Sequence, residues 1–235
     1  MAVFLVGGGW SAEHAPAMFG GFLEAARVRA GGGVPRVLLV VLGTDPESRS
    51  YHQRYLDALA PLAPHELVLE RVALGVRFDP QLLEGVHGLL VGGGPTPEYH
   101  ASLAPSYAEV RELVAGGLPY AGFSAGAAIA ATDAVVGGWR LDGVAVCPEE
   151  SNEDLDELTV VAGIGLVEGT VDVHAAQWGN LSRLVAVVGA GLAPSGLAVD
   201  ECTTLEVGSG SVTGAGCVWW ARGSADGVVV RRQRP

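Results

Sequence analysis

Apolar residues along this chain come in short blocks, and the blocks alternate with longer stretches in which apolar positions recur at helical spacing. Val3–Val6, Val37–Leu42, Leu67–Leu69, Leu89–Val91 and Pro119–Phe123 are short apolar runs bounded by glycine or polar residues. Such runs, without polar alternation, suit strands covered on both faces in a parallel sheet. Between them, Ala15–Arg29, Ser48–Leu62 and Ser106–Ala115 read as helices, the last preceded by Pro105 and stopped by Gly116-Gly117. A small-residue helix, Ala125–Ala131, is expected directly after Ser124. The βαβα rhythm predicts an α/β fold, a three-layer, doubly wound, mostly parallel sheet, in one domain spanning residues 1–235.

The second half is less regular. Asp142–Glu157 is acidic and reads as a surface loop with a short helical piece, and Thr170–Val173 as another strand. Leu181, Leu184, Val185 and Val188 share one helical face. Leu197–Val199, Thr203–Val207 and Cys217–Trp220 suggest closing strands, antiparallel at the edge. No internal repeat, linker or low-complexity tract interrupts the chain.

Composition narrows the function. With 235 residues the chain can bury one α/β core, and no apolar run reaches the roughly 18 residues of a membrane span. The opening Met1–Val6 lacks a basic leader and reads as a strand, not a signal peptide. A net charge of −12 argues against binding a phosphate backbone, so no nucleic-acid partner is expected. Cys147, Cys202 and Cys217 are odd in number and have no metal-ligand spacing, which argues against a disulfide framework or a zinc site and favours a reducing, cytoplasmic setting.

The chemistry concentrates at Pro119-Tyr120-Ala121-Gly122-Phe123-Ser124-Ala125-Gly126-Ala127-Ala128. An apolar strand meets a helix of tiny residues with a serine at the junction, the arrangement of a nucleophile elbow. Bare G-x-S-x-G is weak evidence in a chain with 35 glycines, and a helix-capping serine is the plain alternative. The strand before and the helix after raise its weight. Leu89-Leu90-Val91-Gly92-Gly93-Gly94-Pro95 ends another strand at the same sheet edge. Its glycines let backbone approach a ligand, so the Gly94 N–H is a candidate oxyanion donor beside that of Ala125, and Gly93 a candidate substrate contact. The plain alternative is a flexible βα turn with no ligand. Of six histidines, only His174 closes a strand-like block, Thr170–Val173, ahead of a helix. It is the candidate base, although a lone histidine is more often structural. For the acid that would orient it, Asp133, Asp172, Glu149-Glu150, Asp200 and Glu201 all compete. Asp172 lies two residues before His174 on the same strand face, and Asp200 and Glu201 end a strand.

The elbow G-F-S-A-G-A-A-I, the earlier V-G-G-G, the strand ending in His174 with nearby Leu181-Ser182-Arg183-Leu184, and Leu197-Ala198-Val199-Asp200-Glu201 occur in an order that resembles the serine peptidases comprising dipeptidase E (aspartyl dipeptidase) and cyanophycinase. The resemblance covers nearly the whole chain. It implies a class I glutamine amidotransferase-like, flavodoxin-like fold and a Ser-His-Glu triad of Ser124, His174 and Glu201, with Asp172 as runner-up for the acid. It also implies oxyanion donors at Gly94 and Ala125, a small peptide or isopeptide substrate, and no metal or organic cofactor. A homodimer is compatible with it. Members of that family carry an arginine-rich stretch after the histidine that helps hold an aspartyl carboxylate. Here Trp178 and Asn180 stand at those positions and only Arg183 remains, so a weaker preference for an acidic P1 residue is expected. Trp178, Asn180 and Arg183 remain the candidate substrate contacts, with Trp178 equally suited to the core stripe at Leu181.

Position 124 is not cysteine and position 176 is alanine, which excludes a glutamine amidotransferase. A lipase-type α/β-hydrolase would order its triad serine, acid, histidine. Gly7-Gly8-Gly9-Trp10-Ser11-Ala12 matches a loose dinucleotide-binding loop, but no acid follows at the required distance, Asp45 being too far along. A non-catalytic small-molecule or nucleotide-binding protein on the same fold is the alternative from another class.

Overall fold

The computed structural model describes residues 1–235. In chain order its elements are β1 (Val3–Val6), α1 (Ala15–Arg29), β2 (Arg36–Leu42), α2 (Pro46–Leu59), β3 (Glu66–Val72), β4 (Gly88–Val91), α3 (Thr96–Leu103), α4 (Tyr107–Ala115), β5 (Tyr120–Phe123) and α5 (Ala125–Ala128). Then come β6 (Asp133–Gly137), β7 (Arg140–Leu141), β8 (Val144–Ala145), β9 (Thr159–Ala162), β10 (Thr170–Val173), α6 (Asn180–Gly189), β11 (Ser195–Val199), β12 (Thr203–Glu206), β13 (Ser211–Gly214), β14 (Val218–Ser224) and β15 (Gly227–Gln233).

Alternation along the strands builds three layers, because successive side chains leave opposite faces of the sheet. Leu38, Val40, Leu89 and Val91 point to the side covered by Tyr99, Leu103, Val110 and Val114 of α3 and α4. Val37, Leu39, Val41 and Leu90 meet Phe19, Phe22, Tyr55 and Leu59 of α1 and α2 on the other. Each such side chain, fully buried, contributes about 1.5–3 kcal/mol. The sheet they hold has the order β13-β12-β1-β5-β4-β2-β3. The five strands from β1 to β3 in that order are parallel, whereas β12 runs antiparallel to β1 and β13 antiparallel to β12. It is the α/β, mostly parallel architecture expected from the apolar blocks.

The structure departs from the sequence reading, or adds to it, in several places. The closing strands do not all join the main sheet: β10, β11, β14 and β15 make a second sheet in that order, with α6 packed on it through Leu184 and Val188. The helix after Ser124 ends at Ala128 rather than Ala131, because the next residues serve as a strand-like edge. Ile164 N–H donates to Ile129 O and Leu166 N–H to Ala130 O. Residues 96–103, with Pro95 just before them and Pro97 in their first turn, form α3, since proline fits the first turn of a helix. The acidic stretch 142–157 carries the expected short helical piece, a 3-10 turn at Glu149–Ser151, and also β8, which pairs with β7 just before it in a hairpin that was not expected.

Asp172 and Arg183 tie the second sheet together. They are 1% and 5% exposed, and Arg183 donates from Nε and Nη2 to the two Asp172 oxygens at 2.8 and 2.7 Å. Its Nη1 reaches Ser151 O at 2.7 Å, so one guanidinium joins α6, β10 and the acidic loop. Burial works against the Arg183 charge, but the Asp172 carboxylate outweighs it and raises the guanidinium's pKa. Removing one member leaves the other buried without a counter-charge. Asp172→Asn is therefore expected to lower unfolding free energy by about 3–5 kcal/mol in urea titration, and a loss under about 1 kcal/mol would contradict the assignment.

Candidate active site

The C-terminal ends of β1, β4, β5, β10 and β11 meet at one cleft, as the ends of parallel strands do at the edge of a doubly wound sheet. Ser124 follows β5 at φ 51° and ψ −110°, a conformation that costs a non-glycine residue about 1–3 kcal/mol. The turn is possible because its flanks carry no side chains. A Cβ at Gly122 would lie 2.3 Å from Gly126 O, and one at Gly126 would lie 2.3 Å from Val91 O.

His174 ends β10, also at positive φ, 51°, and is 6% exposed. Its Nε2 lies 2.8 Å from Ser124 Oγ, and its Nδ1 lies 2.7 Å from Glu201 Oε1. With the proton on Nδ1 donated to the carboxylate, Nε2 is the acceptor for the serine hydroxyl. The hydrogen bond from His174 holds the Glu201 carboxyl below the usual carboxylate range, against a smaller opposing effect of burial. Glu201 is fixed in turn, since its N–H donates to Gln177 Oε1 at 2.9 Å.

The glycine run at the end of β1 makes this meeting possible. A Cβ at Gly8 would lie 2.1 Å from His174 Cε1, one at Gly9 2.7 Å from Glu201 Cβ, and one at Gly7 2.1 Å from Asp200 O. His174 N–H donates to Gly7 O, and Cys202 N–H to Gly8 O. The loop read from sequence as a loose nucleotide-binding match is thus filled by the imidazole and Glu201, its Gly7 N–H is spent on Thr203 O, and α1 begins only at Ala15.

The Gly92-Gly93-Gly94 turn lies beside Ser124, where a Cβ at Gly93 would lie 2.8 Å from the serine Cβ. Gly93 N–H donates to Tyr55 Oη at 2.6 Å, and Tyr99 Oη donates to Gly93 O at 3.1 Å. Gly93 therefore lines the cleft but has no free polar group to offer a ligand. The N–H groups of Gly94 and Ala125 meet no acceptor in the protein.

The other candidate contacts divide. Trp178 lines the cleft and stacks on His174. Asn180 and Arg183 do not line it, a correction to the sequence reading. Asn180 is 1% exposed and donates from Nδ2 to Val173 O, while Arg183 is committed to Asp172 and Ser151. Asp172, the competing acid, faces Arg183 instead of His174; the left-handed backbone at 174 swings the imidazole off the strand's alternation.

The cleft has a volume of about 1070 Å³, and its lining carries Asp45, Glu47, Glu150, Glu153, Asp154 and Glu201 against a single arginine, Arg54. The sequence reading did not identify Trp10, Tyr55, Tyr99 or Glu153. Trp10 stacks on Phe123 and, with Tyr55, packs behind the elbow. Glu153, at φ 56°, accepts from Thr96 N–H and Oγ1–H at 3.2 and 3.1 Å. No cluster of three or more His, Cys, Asp or Glu side chains is placed to hold a metal ion, and the three cysteines are unpaired. No helix is long and apolar enough to cross a membrane.

No model of a known protein family matches this sequence, and no curated protein matches it. Among solved structures, the chain is similar to the crystal structure of a candidate peptidase E protein from Listeria monocytogenes, with a TM-score of 0.52 and 14% sequence identity. The likeness covers 99% of this chain and 98% of that one, so the two share a fold from end to end. The class I glutamine amidotransferase-like, flavodoxin-like arrangement fits both.

Burial raises the Glu153 carboxyl above its ordinary value, opposed in part by the Thr96 bonds. Its protonated form is favoured by folding, so the associated stability is full below the unfolded-state value and is lost as pH rises through the folded-state value. Glu153→Gln keeps an acceptor for Thr96 and lacks that loss. Its stability relative to wild type is expected to increase from about pH 4 to about pH 7 in urea titrations, and a difference that stays constant or shrinks would contradict the burial account.

Proposed function

We propose that this protein is a serine-type amide hydrolase of the peptidase E and cyanophycinase kind, cleaving small peptides or isopeptides. The observation that carries the reading is the continuous hydrogen-bonded array Ser124 Oγ, His174 Nε2, His174 Nδ1, Glu201 Oε1, at 2.8 and 2.7 Å, on a strained elbow facing an open cleft. A capping serine needs neither a histidine at its hydroxyl nor a positive φ.

In this reading Ser124 Oγ attacks the amide carbonyl while His174 Nε2 takes its proton. Glu201 keeps the imidazole in the required tautomer and offsets the imidazolium charge. The Gly94 and Ala125 N–H groups, unpartnered within the protein, receive the oxyanion at about 3 kcal/mol for each well-placed donor. His174 then gives the proton to the leaving amine, and the ester formed on Ser124 is hydrolysed by water with the same histidine as base. No step calls on a metal or organic cofactor.

Charge sets the substrate class. An acidic P1 side chain would enter a cleft with six carboxylates and one arginine, and the arginine nearest the histidine in sequence is buried on Asp172. Neutral and basic peptides are the better fit. The binding proteins considered as alternatives have no use for the array.

The test is kcat and KM over a panel of Asp-X, neutral and basic dipeptides and isopeptides. Wild type is expected to hydrolyse neutral or basic members better than Asp-X. Ser124→Ala should abolish turnover with stability within about 1 kcal/mol, and Glu201→Gln should lower kcat about 10²- to 10⁴-fold with KM largely preserved. Turnover retained in Ser124→Ala would refute the assignment.

A further inference from the structure

Trp178 lies over His174 with ring centroids 3.9 Å apart and planes 8° from parallel. The backbone makes this arrangement. Trp178 N–H donates to His174 O at 2.9 Å, so residues 174–178 form one turn that folds the indole back over the imidazole. Gly179 ends that turn at φ 74° against Pro148, whose Cδ would lie 3.0 Å from a Cβ at this position. Within the same turn Gln177 holds the Glu201 N–H. Trp178 is nonetheless 44% exposed and belongs to no buried core cluster. It lines the main cleft and also a smaller one of about 490 Å³ beside Pro148 and Gln177.

The imidazole is thereby restrained at each of its features. Ser124 meets Nε2, Glu201 meets Nδ1, the Gly8 backbone crowds Cε1, and Trp178 covers a face. In-plane hydrogen bonds leave a ring free to rock about the line joining them; a parallel stack opposes that motion. An indole face also attracts a cation, and in the proposed reaction the imidazole carries the serine's proton as an imidazolium.

We infer that Trp178 is a positioning residue, which keeps His174 Nε2 on the Ser124 hydroxyl and stabilises the imidazolium formed during attack. The inference rests on the proposed serine hydrolysis and adds to it a fourth side chain, one that acts through His174 and not on the substrate. A tryptophan that merely walled the substrate site would act on KM, and a purely structural one would act on stability.

Trp178→Leu and Trp178→Phe separate these roles when kcat and KM on the best-cleaved peptide, the second-order rate of fluorophosphonate labelling and Tm are measured together. Trp178→Leu is expected to lower kcat and the labelling rate about 3- to 30-fold, with KM within about twofold and Tm unchanged. Trp178→Phe, which keeps an aromatic face, should recover most of the loss. An unchanged kcat in Trp178→Leu, a loss confined to KM, or a phenylalanine variant no better than leucine would overturn the inference. Wild-type protein that neither turns over peptide nor takes the label would refute the hydrolase reading itself, and so is distinguished from failure of the stack alone.

Discussion

Three consecutive residues without side chains, Gly7, Gly8 and Gly9, let the smaller sheet abut the larger closely enough for a histidine from one to reach a serine from the other. Any Cβ there would stand within 2.1–2.7 Å of Asp200, His174 or Glu201. The seam is also hydrogen-bonded, since Gly7 O accepts from His174 and Gly8 O from Cys202, while within the larger sheet Val6 O accepts from Ser124. One short loop after β1 therefore sets the positions of all three members of the array. A larger residue at Gly8 would separate the groups without touching any of them chemically.

Backbone strain is concentrated at the same place. Ser124, His174 and Cys202 all adopt positive φ without being glycine, and each ends or follows a strand that runs into the cleft. Such residues persist only where their surroundings hold them. Here the restraint comes from the buried layers behind the elbow, Trp10, Tyr55 and Phe123, and from the Asp172–Arg183 pair behind His174. Ser124, His174 and Glu201 share one wall of the cleft, and the other carboxylates of the lining lie on the surrounding loops and on α2.

Much of this was legible in the sequence because it is written locally. Unbroken apolar runs identified the parallel strands, and Ala15–Arg29 was bounded correctly by its apolar spacing. Ser124 and His174 could be named because each follows a strand, whereas Glu201 was singled out from its competing acids only by the family resemblance; strand ends of two different sheets bring the three together. What was hidden depends on distant partners. Asn180 and Arg183 lie on α6 as the spacing required, but helical period does not say that their polar ends turn to Val173 O and Asp172. A signal existed: an aspartate inside the apolar strand Thr170–Val173 calls for a buried cation. The second sheet was hidden because antiparallel strands at the chain's end carry no mark of which edge they join. Gly7-Gly8-Gly9 was legible only as a loose dinucleotide-binding match, because the ring that fills it, that of His174, comes from far along the chain.

The proposed hydrolase requires Ser124 to be the one activated hydroxyl in a cleft that Ser48 and the buried Ser151 also line. Peptide mapping by mass spectrometry after treatment with a fluorophosphonate tests this most directly. One adduct per chain is expected, on Ser124 within the tract Tyr120–Ala128. No adduct, or one on Ser48 or Ser151, would contradict it.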